Sequence, residues 1–179
     1  MLTHSDQIES FGRYFKALGP MMQHLRISCT KYDCSGEIRA TACKEMSLAH
    51  NPCLRTITFE DLCMAPNPNI LFDCAWIIGM LSRITSPFIK MVTLVIYADH
   101  LQQISSLNLP ALAAFLSGGS GLPAMQSTTL SFGVLGDIDR TVAIAAITES
   151  LHDMSKQNRL AFGGHSFKER EWSDDKDIC

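Results

Sequence analysis

The chain has 179 residues, 46% of them apolar and 18% charged, which suits one folded domain with a buried core. Its net charge is near −3, and no basic run of five or more is present, so no field draws in nucleic acid and none is expected as a partner. The first residues lack a basic stretch followed by an apolar core, and the most apolar region, residues 70–98, is interrupted by Asp73, Arg83, Pro87 and Lys90; neither an export signal nor a membrane span is predicted.

In chain order, the first helix is expected over residues 6–18. Ile8, Phe11, Phe15 and Leu18 share one face, Ser5 can cap the start and Gly19 ends it. Residues 23–29 alternate apolar and polar as a half-buried strand does, and residues 55–60 repeat that alternation beyond a loop over 31–45. A second helix covers 72–84, with Ile77, Met80, Leu81 and Ile84 inward and Pro87 barring continuation. The stretch 91–97 is rich in valine and isoleucine and reads as a more deeply buried strand.

A third, short helix is expected over 109–117, with Asn108 as cap, Pro110 in the first turn and Gly118 as stop; Leu112, Phe115 and Leu116 pack. A strand over 128–133 follows the loop 117–122. The fourth helix spans 140–154, capped by Asp139, with Ile144, Ile147, Leu151 and Met154 inward. A last piece, 160–162, is placed to close the sheet. From Gly163 onward Lys168-Glu169-Arg170-Glu171 and Asp174-Asp175-Lys176-Asp177 predict a solvated, disordered tail, so the domain is drawn as residues 1–162 and the tail as 163–179.

One apolar pattern recurs through these elements. Met22, Leu25 and Ile27 form it first, then Leu54, Ile57 and Phe59, then Ile89, Val92 and Leu94, then Met125, Thr128 and Leu130. The starts at 22, 54, 89 and 125 are 32, 35 and 36 residues apart, and a helix-like segment precedes each. A period of this size marks an array in which every unit buries its apolar face on its neighbours. Helix-then-strand units in series favour parallel strands joined by right-handed crossovers. The expected fold is therefore α/β: an open array of about four helix–strand units, mainly parallel, with helices on one face of the sheet.

The segment Met46-Ser47-Leu48-Ala49-His50-Asn51-Pro52-Cys53-Leu54-Arg55-Thr56-Ile57 resembles a stretch of the leucine-rich-repeat-like region of F-box proteins from mushroom-forming fungi, where a Leu-Ser-His-Asn-like phrase precedes Leu-Arg and a strand. Three more pieces are similar. They are Leu18-Gly19-Pro20, Trp76-Ile77-Ile78 through Leu81-Ser82-Arg83-Ile84 to Ser86-Pro87-Phe88-Ile89, and Leu122-Pro123-Ala124-Met125. Together they cover most of residues 15–135. The resemblance implies a curved leucine-rich-repeat-like array whose open face holds a protein substrate for ubiquitin transfer, with no catalytic residues and no cofactor. The helical F-box has no room ahead of Met22, so a Skp-type adaptor is expected as partner only if a longer form carries that module.

Alternation along strands fixes which side chains face away from the helices. It predicts one cross-strand row of Arg26, Thr58, Thr93 and Thr129 and a second of Ser28, Glu60, Val95 and Ser131, with Tyr97 beyond. Such a polar platform with one aromatic anchor suits a protein or peptide partner. Its threonines also serve plain strand propensity.

Other clusters point to chemistry less well. Cys29, Cys34, Cys43, Cys53 and Cys63 lie near His24 and His50, but only Cys29 and Cys34 approach the close pairing of a structural zinc site. Seven cysteines without an export signal read instead as reduced thiols in an intracellular protein. Gly118-Gly119-Ser120-Gly121 follows a helix and lacks the lysine of a nucleotide loop, so it reads as a turn. Ser47 with His50, and Asp99 with His100, sit in no catalytic signature. Trp76 and Phe115 fall on apolar helix faces and read as core, and Trp172 is a weak docking anchor in the tail.

The expected function is non-enzymatic protein binding, possible substrate recognition for an F-box-type ubiquitin ligase, with no metal. The alternatives are a fragment of a longer array with no activity of its own, and a small α/β enzyme using Lys31, Glu60, Asp61, Asp99 and His100 at the strand ends.

Overall fold

The computed structural model describes residues 5–28, 44–63, 74–119 and 127–163. The chain starts with α1 (Ser5–Leu18), which Gly19 ends by turning left-handed at φ +46° into a short 3-10 turn. Strand β1 (His24–Ser28) follows, then β2 (Thr56–Cys63), α2 (Ala75–Leu81), β3 (Met91–Tyr97), α3 (Leu101–Ser105) and α4 (Leu109–Ala114). A π-helical turn (Phe115–Gly119) leads on to β4 (Thr129–Leu135), α5 (Arg140–Ser150), α6 (His152–Lys156) and β5 (Leu160–Phe162).

The five strands form one sheet in the order β1-β2-β3-β4-β5, and every pair is parallel. Strand order thus equals chain order, and crossovers of one hand then carry each connecting helix to the same face. On that face Leu25, Ile57, Val92, Leu130 and Leu160 stand in one row, and Ile27, Phe59, Leu94, Phe132 and Phe162 in the next. The first row advances by 32, 35, 38 and 30 residues between successive members. These rows join Trp76, Ile77, Met80, Leu112, Ile147 and Met154 of the helices in one apolar cluster. Phe59 and Trp76 meet edge to face with centroids 5.4 Å apart.

The fourth unit corrects the sequence expectation. Leu130, not Thr128, pairs with Val92, so the unit sits two residues further along than the Met125, Thr128, Leu130 pattern implies. A slip of two keeps every side chain on its own face. Phe132 fills the position that the pattern gave to Leu130, and Met125 lies outside the described residues. The fifth strand is paired with β4 as the 160–162 expectation has it.

Helix expectations are corrected in detail. Phe11 is 40% exposed in the first unit of the described array, whereas Ile8 and Phe15 are buried. Gly12 is where α1 passes closest to the 44–46 segment, since a Cβ there would overlap the Glu45 carbonyl. The second helix is Ala75–Leu81, shorter than 72–84, and its four inward residues are buried as expected. Asn108 does not cap α4 by its side chain; it takes φ 51° and ψ 46° to make the tight turn between α3 and α4, a conformation asparagine tolerates better than most residues. Asp139 does cap α5, accepting from Thr141 N at 2.8 Å and Val142 N at 3.1 Å. That helix breaks at Leu151, whose φ of −117° leaves the helical region, before α6 resumes. The charged tail beyond Gly163 and Trp172 within it lie outside the described residues.

A buried polar ladder ties the units together where each strand begins. The Asn51 Nδ2 donates to Gly19 O at 3.1 Å, Ser86 Oγ to Leu54 O at 2.6 Å, Thr128 Oγ1 to Ile89 O at 3.3 Å and Arg159 Nε to Thr128 O at 3.2 Å. Each donor reaches back one unit, and all four residues are buried. A buried carbonyl left without a partner is costly, so each donor stabilises the turn of the unit before it. Arg159 also donates to Leu116 O at 3.0 Å, and burial pulls its guanidinium pKa below its ordinary value. No described helix is long and apolar enough to cross a membrane.

Candidate functional site

The sheet face turned away from the core is built by alternation from the same strands. Its middle row is Arg26, Thr58, Thr93, Ser131 and Ala161. Toward the strand starts lies a row of His24, Thr56, Met91 and Thr129. Thr129 therefore belongs beside Met91, and Ser131 takes the place beside Thr93 that the sequence pattern assigns to Thr129. The two-residue slip of the fourth unit moves both.

Toward the strand ends Ser28 pairs with Glu60 and Val95 with Gly133, so Ser131 does not stand beside Val95. Between Phe59 and Leu62 the register of β2 shifts, leaving Glu60 and Asp61 opposite Val95 alone. Such a bulge puts two residues against one and re-aims the strand. Tyr97 pairs with Leu135 at the far end.

Exposure divides the expected residues. The Arg26 side chain is 64% exposed and its Nη2 lies 3.1 Å from Glu60 Oε1, whose side chain is only 13% exposed. Tyr97 is 38% exposed, and Ser28, Thr58 and Thr129 are half-buried. Thr93, Val95 and Ser131 are buried, which corrects their placement on an open platform. Short side chains on inner strands are walled in by neighbours about 4.8 Å away on both sides, and the β2 bulge adds a second residue opposite Val95. Val95 is nonetheless no part of the apolar cluster behind the sheet, as its outward register requires.

Sequence reasoning missed Met91, 39% exposed in the same face, along with His24, Gly133 and Leu135. Counting back by twos from Tyr97 leads to Met91, so alternation alone carried that signal. His24 Nδ1 and Thr56 Oγ1 are 2.8 Å apart and join the first two strands across this row. The face offers hydroxyls, one ion pair and two exposed apolar groups.

The other candidate clusters come apart. Gln103 Oε1 accepts from Asp99 N at 2.7 Å and His100 N at 2.9 Å, and Asp99 Oδ1 accepts from Asp137 N at 3.2 Å; both residues brace turns. Ser47 Oγ accepts from Ala49 N at 3.4 Å, and His50 is exposed beside it with no pairing to Ser47. Neither Cys53 nor Cys74 is in a disulfide, and Cys29, Cys34 and Cys43 lie outside the described residues. Among the described residues no group of three or more His, Cys, Asp or Glu is close enough to hold a metal ion. Trp76 and Phe115 pack in or against the core as expected. The turn Ser120–Gly121 and Lys31 lie outside the described residues.

On the outer side of β1 an open groove of about 610 Å³ is lined by Phe11, Tyr14, Leu18, Met21, His24 and Arg26 among others. No family model matches the chain, and no curated protein matches it.

Proposed function

We propose that the chain is a non-enzymatic protein-binding module that uses the strand face as its contact surface, in the manner of a leucine-rich-repeat-like array. The observation that carries this reading is the face itself. It spans the parallel strands, with one register shift in β2, and sets exposed Met91 and Tyr97 on either side of a hydroxyl-bearing middle row. Such a surface can desolvate two apolar anchors while its polar groups hold a partner in register. Chain-order strands, unit steps of 30 to 38 residues and the polar ladder support the array reading. Recognition of a substrate for an F-box-type ubiquitin ligase follows only through the resemblance noted in the sequence.

The test compares the native chain with a Thr58→Arg/Tyr97→Ala variant as immobilised bait, read by quantitative mass spectrometry. A defined set of proteins should fall at least about tenfold on the variant, as loss of an interface anchor predicts, with the thermal midpoint unchanged. Equal recovery of every captured protein on both baits would reject the strand face as a contact surface.

A second reading is favoured by the groove on β1, namely that this array is part of a longer one. Phe11 is 40% exposed, Tyr14 56% and Met21 82% beside an edge strand, and open edges with apolar flanks promote association. Phe11→Glu with Tyr14→Glu should then raise the soluble, monodisperse fraction in size-exclusion chromatography. No change in that fraction would leave the groove as ordinary surface.

A further inference from the structure

Parallel strands gather all their starts at one edge of the sheet and all their ends at the other, and this sorts the charges of the chain. Arg55 immediately precedes β2, Lys90 precedes β3, Arg159 precedes β5 and His24 opens β1. The opposite edge collects Glu60 and Asp61 near the end of β2, then Asp99, Asp137 and Asp139 just beyond β3 and β4. Among the described residues the strand starts thus carry several cations and the strand ends several carboxylates, with Arg140 standing next to Asp139 among the latter.

Three of the acids at the strand ends are already engaged. Glu60 pairs with Arg26, Asp99 holds the Asp137 amide and Asp139 caps α5. The cations at the strand starts differ. Arg159 is buried in the ladder, but Arg55 and Lys90 are exposed, and neither has an ion-pair partner among the described residues. They are adjacent: Lys90 N donates to Arg55 O at 2.8 Å. Beside them Phe88 is 53% and Met91 39% exposed. Two cations without an ion pair among the described residues thus occupy adjacent backbone positions on this edge, with exposed Phe88 two residues before Lys90. Met91 follows Lys90, and alternation turns it to the strand face, so the cations border the proposed contact surface along the sheet edge.

We infer that this edge binds an acidic protein segment carrying large apolar side chains between its carboxylates. Carboxylates would meet Arg55 and Lys90 while the apolar side chains cover Phe88 and Met91. Arginine offers a planar fork for a carboxylate and lysine a point charge, so the pair tolerates several geometries. The inference rests on the reading of the chain as a protein-binding module and gives its partner a chemistry.

The probe is a labelled, end-blocked peptide, Glu-Glu-Phe-Glu-Glu-Leu-Glu-Glu, followed by fluorescence anisotropy on the whole chain. Binding is expected at low ionic strength and should fade at high salt. It should disappear when lysine replaces glutamate in the peptide, and weaken when alanine replaces phenylalanine and leucine. The Arg55→Glu/Lys90→Glu variant should bind at least about tenfold more weakly, because reversed charges repel what the native pair attracts. An Arg55→Gln/Lys90→Gln variant should fall in between, and it guards against any folding defect of the reversal.

No binding by the native chain, or equal binding by both variants, overturns the inference. Tighter, Arg55- and Lys90-dependent binding to phosphatidylserine vesicles than to the peptide also overturns it, assigning the edge to a lipid surface. Peptide binding should survive in Thr58→Arg/Tyr97→Ala. If that variant loses protein capture while the peptide fails to bind the native chain, the edge inference falls and the strand-face reading stands. If protein capture is indifferent to both sets of changes, the strand-face reading itself falls.

Discussion

Asn51→Asp is expected to destabilise the fold by about 3–5 kcal/mol at neutral pH, the range for a buried charge left without a partner. Asn51 is fully buried, and its Nδ2 donates to Phe15 O at 2.9 Å and Gly19 O at 3.1 Å. Phe15 lies in the last turn of α1, and the Gly19 carbonyl just beyond it also accepts from Met22 N at 3.3 Å. A carboxylate in the same place turns two attractions into two repulsions. The Oδ1 of the native Asn51 has no hydrogen-bond partner among the described residues, so none of them offers a donor to the new charge. Asn51→Ala removes the donors without adding charge and should cost about 1–3 kcal/mol, the range for a buried group that loses its partner.

The aspartate variant also carries a pH signature. Burial and two facing carbonyls raise the folded-state pKa of the new carboxyl above its unfolded value. The deficit is then largest above the folded pKa and shrinks as pH falls toward the unfolded carboxylate range, where a neutral acid donates to one carbonyl. Urea unfolding followed by circular dichroism at neutral and acid pH measures both effects. An aspartate variant within about 1 kcal/mol of the native chain at neutral pH, the net worth of one ordinary hydrogen bond, would mean that water reaches the end of α1.

Phe59→Ala is expected to cost about 3–5 kcal/mol, the usual price of emptying a core aromatic site. Phe59 is fully buried in β2, lies in register with Ile27 on one side and Leu94 on the other, and meets Trp76 edge to face. Removing the ring deprives two strands and one helix of their common contact, and the inner strands have little room to close the gap. Phe88→Ala serves as comparison, because Phe88 is 53% exposed and its loss should shift stability by no more than about 0.5 kcal/mol. Equal midpoints for the two variants in urea would place Phe59 outside the core.

The sequence carried the sheet well and the surface only in part. Leu25, Ile57 and Val92 announced their shared row through a common spacing, and parity put each strand residue on the correct face. The two-residue slip at Leu130 was hidden because Thr128 and Leu130 satisfy the pattern as readily as Leu130 and Phe132. Only pairing with β3 decides between them. Alternation also cannot report depth, so Thr93 and Ser131 were placed on the right face but not in its walled-in centre. Asn108 looked like a cap because its residue type favours both a cap and a left-handed turn.

The ladder was illegible for a different reason. Asn51 and Gly19, Ser86 and Leu54, and Thr128 and Ile89 lie 32, 32 and 39 residues apart. Nothing in a local window marks a polar residue as buried until the units are stacked. The same holds for Arg55 and Lys90, which are scattered in the sequence and become neighbours only when their strands lie side by side.

Strand order that follows chain order also sets how this protein would respond to force. Tension applied through its ends would load β1 and β5 first, since among the described strands these two stand at the margins of the sheet. Each outer strand is joined to the rest through one neighbour, so the sheet would come apart from its margins inward, like a zipper opened from both ends. The inner strands would hold longest, and rejoining would require only that each freed segment find the strand next to it.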